Sequence, residues 1–124
     1  MDGGKQPGPD QPISIELVSE RVIVRIGNAV IADSSNALVL QEANYAPVFY
    51  IPREDVLMTE LTLSSTSTHC PYKGNACYFT TRRDRATDIA WSYEDPFDAT
   101  ARIKGYVAFY ANRVDEIELI SRSL

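Results

Sequence analysis

The sequence predicts a mainly β domain, a compact, highly coiled antiparallel sheet or barrel-like structure with one short helix. Two observations support this fold class. From Ile13 onward the chain is a succession of short apolar runs rich in β-branched and aromatic residues, which is the pattern of strands joined by turns. Only residues 95–105 carry the start and stop signals of a helix longer than one turn.

Ten candidate strands follow one another along the chain. Several of them alternate, so that successive side chains face opposite sides of a sheet. Neither face of GYVAFY is fully polar, which predicts a strand that is central in its sheet or packed on both sides. The ten runs are ISIELV (13–18), RVIVRI (21–26), AVIADS (29–34), ALVLQE (37–42), PVFYIP (47–52), LTLSSTST (61–68), ACYFTT (76–81), DIAWSY (88–93), GYVAFY (105–110) and VDEIEL (114–119).

The predicted helix lies in EDPFDATARIKG. Asp95 can cap it, and Pro96 has the fixed φ that suits a first helical position. Gly105 can adopt the left-handed conformation that ends a helix. A shorter helical turn is predicted to begin at Pro52.

Length and composition indicate one domain. The chain has 124 residues, of which 44% are apolar, enough for a single core. Residues 1–12 are rich in glycine and proline and are predicted to form a disordered tail. Residues 13–124 are predicted to form a single β-rich domain.

The charge balance restricts the partners. Seventeen acidic and 12 basic residues give a net charge of -5, which argues against nucleic acid, because a phosphate backbone needs a basic face. No run approaches the roughly 18 apolar residues of a membrane-spanning helix, and the N-terminus lacks the order of a signal peptide. We therefore expect a cytoplasmic protein with no membrane partner.

The segment THCPYKGNACYF, residues 68–79, is predicted to be a hairpin whose turn is set by Pro71 and Gly74. His69 and Cys70 are consecutive on a strand and should point to opposite faces, so they do not share a metal easily, and no metal site is predicted. Cys70 and Cys77 either remain free thiols or form a cross-strand disulfide, if the register places them opposite each other.

One function class is a small-molecule site near this hairpin, with enzymatic activity as an extension. Arg53 and Lys73 would hold an anionic group, since a guanidinium or an ammonium recognises anions. Trp91 or Tyr93 would stack on a ring, and His69 would transfer protons. These residues are predicted to border one concave pocket. No cofactor is specified by the sequence.

The corner IPRED and the hairpin tip supply the other candidates of this site. Asp55 can hold the Arg53 side chain in place and is, with His69, a candidate catalytic residue. Glu54 and Tyr72 are further candidate ligand-binding residues. The alternatives are an exposed ion-pair motif for IPRED, of the kind that contributes little to stability, and a cover over the core edge for Tyr72.

The second function class is a non-enzymatic binding or homo-oligomerisation module in which the same residues are structural. An apolar sheet face would then meet a partner or a second copy. Aromatic residues that can form such a face, with core packing as their alternative, are Phe49, Tyr50, Tyr106, Phe109 and Tyr110.

Four ordered motifs, PVFYIPREDV, THCPYKG, AWSYEDP and GYVAFYANRVD, resemble a widespread family of small, mostly bacterial proteins. It is catalogued as a domain of unknown function and sometimes labelled nucleotidyltransferase-like. The resemblance spans about residues 14 to 118 and implies a compact, highly coiled antiparallel β fold. It also implies signature positions at Pro52, Arg53, Glu54, Asp55, His69, Cys70, Pro71, Tyr72, Lys73, Gly74, Trp91, Ser92 and Tyr93.

Overall fold

All ten predicted strands are present in the computed structural model, which describes residues 8, 12–82 and 87–121. Apart from Gly8 and Pro12, the predicted tail lies outside these residues, and its disorder stays a prediction. The strands are β1 (Ile13–Leu17), β2 (Arg21–Ile26), β3 (Ala29–Ser34), β4 (Leu38–Glu42), β5 (Val48–Tyr50), β6 (Leu61–Cys70), β7 (Gly74–Thr81), β8 (Ala90–Tyr93), β9 (Val107–Phe109) and β10 (Glu116–Ile120).

The strands form three antiparallel sheets. The first has the order β1-β4-β5, the second β10-β2-β3 and the third β6-β7-β8-β9. The predicted fold class is thus confirmed, and within the described part of the chain none of the three sheets closes into a barrel.

Two short bridges join the sheets. Ile51 and Val107 exchange both backbone hydrogen bonds, each of 2.8 Å, so the first and third sheets meet where β5 approaches β9. Val56 forms a second bridge, to Ala32 of β3. The second sheet is thereby tied to the turn that follows β5.

The core is divided by the third sheet into two clusters. On one side, the apolar face of β2 and β3 packs with Phe79, Ile89 and Phe109. On the other side, Tyr50 and Leu40 pack with Tyr78 and neighbouring aromatic residues. Strand β9 is buried on both faces, as its lack of a polar face predicted.

The helical segments of the described residues are all 3-10 helices, at Arg53–Asp55, Met58–Glu60 and Asp98–Ile103. The first confirms the predicted turn after Pro52. For the third, the predicted start was wrong: the helix begins at Asp98, with Phe97 preceding it and no side-chain cap. Thr100 has φ -122° and ψ 24°, which interrupts the helix.

The position of this segment explains why a regular α-helix does not form. The amide of Gly105 donates to the carbonyl of Tyr93 over 3.0 Å, so the segment leaves the end of β8 and returns to it. A tight return of this kind favours i to i+3 hydrogen bonds. Gly105 itself has φ 75°, the left-handed conformation that the sequence predicted.

Candidate functional site

An apolar cleft of about 580 Å³ opens between two walls, a volume typical of pockets for small organic molecules. One wall consists of the segment leading into β5, of β9 and of Trp91 from β8. The other wall is the face shared by β2 and β10. The lining residues are Val22, Val24, Ala46, Pro47, Val48, Phe49, Ile51, Trp91, Phe109, Tyr110, Ala111, Ile117 and Leu119.

Strand register explains the second wall. Ile117 lies opposite Val24, and Leu119 lies opposite Val22. Because side chains alternate along each strand, these four share one face. The alternate residue Glu118 pairs with Arg25 over 2.6 Å on the other face. One face of β2 and β10 is therefore apolar towards the cleft, while the other combines charged residues with Ile23 and Ile120.

Trp91, the single tryptophan of the chain, is held in the first wall by other aromatic rings. Its ring centroid lies 4.4 Å from that of Tyr110, with the planes tilted by 42°. Its Nε1 donates a hydrogen bond of 3.3 Å to the buried hydroxyl of Tyr50. The polar atom of the indole is thus engaged behind the wall, and the apolar part of the ring lines the cleft.

Among the described residues, no charged side chain lines the cleft at neutral pH. Its one titratable group is Tyr110, whose hydroxyl donates to that of Tyr78 over 3.4 Å. Burial and this hydrogen bond raise the pKa of Tyr110 to about 12. The guanidinium of Arg113 lies 4.7 Å from the centroid of the Tyr110 ring. Because its described lining is uncharged, the cleft suits a neutral occupant.

Arg53 lies in a different, polar cleft of about 310 Å³. Its Nε donates to the carbonyl of Gly105 over 3.0 Å, and its second terminal nitrogen donates to Ser92 Oγ over 2.9 Å and to Glu94 Oε2 over 2.8 Å. The guanidinium also lies 5.7 Å from the centroid of Phe79. These contacts join the 3-10 helix after β5 to the end of β8, so Arg53 acts as a structural clamp.

Lys73 is engaged in an almost buried ion pair. Its Nζ donates to Glu42 Oε1 over 2.8 Å, and the two side chains are only 13% and 14% exposed. The ammonium also lies 5.9 Å from the centroid of the Tyr93 ring. The hairpin tip is thereby tied to the end of β4, and the carboxylate of Glu42 occupies the place of the anion expected from the sequence.

The two cysteines are free, and the hairpin register explains why. Cys70 lies opposite Gly74, whereas Cys77 lies opposite Ser67. The cysteines therefore do not face each other, and the free-thiol alternative holds. Gly74 has φ 110°, a conformation that side chains with a Cβ rarely adopt. Gly74 is the first residue of β7, directly after the turn, and the sequence correctly predicted that the hairpin needs a residue able to adopt positive φ there.

Cys77 is a poorly reactive thiol. Its Sγ lies 3.5 Å from the carbonyl oxygen of Ser92 and 3.6 Å from Glu94 Oε2. Burial and the negative charge of Glu94 raise the pKa of this thiol above its ordinary value. Since the thiolate is the nucleophile, the environment suppresses reaction at neutral pH.

We expect Glu94→Gln to accelerate alkylation of Cys77 severalfold at pH 8. The change removes the carboxylate charge that opposes ionisation, so a larger thiolate fraction exists at the same pH. Iodoacetamide labelling followed by peptide mass mapping measures Cys77 and Cys70 separately. Glu54→Gln is the matched control, since it makes the same charge change in the Arg53–Asp55 turn. An unchanged Cys77 rate in Glu94→Gln would contradict this account.

The remaining candidates have other partners. The Nδ1 atom of His69 lies 2.7 Å from Asn75 Oδ1, and its ring lies edge-on to Phe97, with centroids 6.0 Å apart. Asp55 accepts a hydrogen bond of 2.7 Å from Ser34 Oγ rather than from Arg53. Glu54 is exposed beside Arg53, and Tyr72 is half-buried in the hairpin turn.

The prediction that Arg53, His69, Lys73 and Trp91 or Tyr93 border one pocket was therefore wrong. Arg53 lines the polar cleft and Trp91 the apolar one, and neither lining includes the other three residues. Two of the cationic groups are bound internally, to Glu94 and to Glu42. The roles proposed for the single residues stay predictions, but their common pocket does not form.

Sequence reasoning missed most of the apolar cleft. Of the signature positions, only Trp91 lines it. Phe49, Phe109 and Tyr110 were singled out as material for an apolar sheet face, but the structure divides the five aromatics of that set. Tyr50 and Phe109 are buried, and the other three are half-buried. The alternating apolar residues of β2 and β10 were the available signal, but the partner strands cannot be read from that pattern.

Among the described residues, no cluster of three or more His, Cys, Asp or Glu side chains could hold a metal ion. Nor does that part of the chain contain a helix of the length and apolarity needed to cross a membrane. No curated protein matches the sequence. A family model described as a domain of unknown function, DUF427, matches residues 14–119. The chain therefore belongs to the DUF427 family.

Proposed function

We propose that the protein binds a small, neutral, ring-containing molecule in the cleft between β5, β9 and the face of β2 and β10. The observation that carries this proposal is the joint presence of a volume of about 580 Å³, an uncharged lining and an indole ring in one wall. Pockets for small molecules combine apolar and aromatic walls with a few polar groups.

The site favours binding over catalysis. Tyr110, the titratable side chain in the described lining, has its pKa raised to about 12, even further from neutral pH than that of an ordinary tyrosine. General acid–base chemistry works best with a group whose pKa lies near the working pH. An anionic ligand, which was an expectation from the sequence, is disfavoured in this cleft because no cationic side chain lines it.

Titration with naphthalene tests the proposal. The indole Nε1–H of Trp91 gives a single amide-region signal in a ¹⁵N–¹H correlation spectrum, since the chain has one tryptophan. We expect this signal to shift saturably and the melting temperature to rise, because a ligand that binds only the folded state stabilises it. A naphthalene titration that moves neither quantity would count against the proposal.

Leu119→Glu should weaken naphthalene binding at least fivefold. Leu119 lines the cleft and is 45% exposed, so the new carboxylate is tolerated at the surface but places a charge beside an apolar ligand. Leu63→Glu is the matched control: Leu63 is 63% exposed on β6 and does not line the cleft. Equal affinities in both variants would locate the ligand elsewhere.

A further inference from the structure

The cleft lies where the hydrogen-bonded pairing of two neighbouring strands ends. Ile51 and Val107 form a hydrogen-bonded pair between β5 and β9. In an antiparallel ladder the next such pair lies two residues further along each strand, which is Phe49 opposite Phe109. Both residues line the cleft, and within the described residues no backbone hydrogen bond joins them. The hydrogen-bonded ladder therefore ends at this point, and both residues border the cleft.

Strand alternation fixes the direction of the unpaired groups. Ile51 exchanges its backbone hydrogen bonds with Val107, so its N–H and C=O face β9. These groups alternate along the strand, so those of Phe49 also face β9, while those of Tyr50 and Val48 face β4. On β9, the carbonyl and amide of Val107 face Ile51, and those of Phe109 point the same way. Within the first wall, β5 and β9 therefore each present one N–H beside one C=O towards the other strand.

The unpaired backbone groups of Phe49 and Phe109 favour a ligand that carries hydrogen-bonding groups along one edge of its ring. Phe109 is only 6% exposed, and backbone groups removed from water are normally paired. A purely apolar ligand would cover them without compensation, at a cost in affinity. A ring that carries an N–H next to a C=O supplies the matching acceptor and donor in one plane.

The available edge is short, which favours a compact ring over a peptide strand. On β5 the next residue in the same orientation after Phe49 is Pro47, which has no N–H to donate. On the other side Ala111 already belongs to the turn that follows β9. A peptide added as a strand would need several consecutive pairs, whereas a ring with one amide edge needs a single pair.

We propose that the natural ligand is a flat, neutral ring system with an N–H adjacent to a C=O, as in lactams, cyclic imides and pyrimidine bases, and that this edge pairs with the backbone of Phe49 or Phe109. This inference rests on the proposed function and specifies its ligand class. The apolar remainder of the ring then packs against Trp91 and the face of β2 and β10.

Two isomeric probes test the polar edge. 4-Methyl-2-quinolone keeps the lactam N–H, and 1-methyl-2-quinolone replaces it with a methyl group, at equal volume. We expect the 4-methyl isomer to bind at least fivefold more tightly in the Trp91 indole titration. Equal affinities for the two isomers, with naphthalene still bound, would overturn the ligand class and leave the proposed function standing. Failure of all three molecules to bind would overturn both.

The variants Phe49→Pro and Phe49→Ala test whether the ligand pairs with the backbone N–H of Phe49. Both variants remove the ring, but only proline removes the N–H that faces the cleft, and proline is tolerated where the N–H is outside the ladder. With the Phe109 edge intact, we expect the preference for the 4-methyl isomer to shrink in Phe49→Pro and to persist in Phe49→Ala. An equal preference in both variants would overturn pairing at Phe49. Tighter binding of acetyl-Val-Ile-Val-amide than of 4-methyl-2-quinolone would overturn the compact ring in favour of strand addition.

Discussion

Lys73→Met should lower the free energy of unfolding by about 3–5 kcal/mol, because it removes the positive charge that faces the almost buried carboxylate of Glu42. The pair is 2.8 Å long, and both side chains are more than four-fifths covered. Methionine keeps most of the apolar stem of lysine, so the loss measures the charge rather than the packing. Urea unfolding followed by circular dichroism gives the free energy.

Arg21→Met is the matched control for this effect. Arg21 forms a two-pronged pair with Asp33, with hydrogen bonds of 2.7 and 2.6 Å, but the side chains are 46% and 40% exposed. Water replaces such a partner easily, so we expect a shift in the urea midpoint near the error of the measurement. Similar losses in Lys73→Met and Arg21→Met would show that burial does not strengthen the hairpin pair.

The ion pair also explains why the sequence misjudged Lys73. A lysine beside Gly74 at a hairpin tip has the composition of an exposed anion-binding group. Its partner is 31 positions earlier, at the end of β4, and no local pattern indicates that β4 approaches the hairpin. The lysine correctly indicated that its partner is negatively charged. Which group supplies that charge depends on how the first sheet packs against the third.

The strands could be predicted because their signals are local. Alternation, β-branched residues and turn residues act within about ten positions, and all ten runs form strands. The cleft depends instead on a non-local event, the end of the pairing between β5 and β9 beyond the Ile51–Val107 bridge. Its second wall comes from β2 and β10, at opposite ends of the chain. A periodic pattern identifies such faces but does not indicate which of them meet.

The helix predicted from residue 95 shows that favourable local signals can also be overridden by the rest of the fold. Its start and stop residues are favourable taken singly, and Gly105 does end the segment. The hydrogen bond from Gly105 to Tyr93 nevertheless requires a return to the end of β8. Tertiary geometry overrides local propensity here, as it commonly does for short elements.

Arg53→Met should lower the free energy of unfolding by about 2–3 kcal/mol, because three hydrogen bonds, one of them to a carboxylate, are lost together. Ser92 and Gly105 belong to different segments, so their separation loosens the junction between β8 and β9. Arg53→Lys should recover less than half of this loss. A lysine ammonium lacks the planar fork that reaches the carbonyl and Glu94 in one geometry.

Arg53→Met and Arg53→Lys also distinguish a structural clamp from the anion-binding role that the sequence suggested for Arg53. A structural clamp predicts that both variants unfold at lower urea concentration, while naphthalene affinity in the apolar cleft stays within twofold of the unmodified protein. Arg113→Lys is the control, since Arg113 donates a hydrogen bond to the carbonyl of Asp88 from outside the junction, and its urea midpoint should change little. If Arg53→Met kept its urea midpoint but lost binding of inorganic phosphate, the guanidinium would be an anion-binding group after all. The three contacts of Arg53 favour the first result, because an incoming anion would have to displace Glu94 from the guanidinium at 2.8 Å.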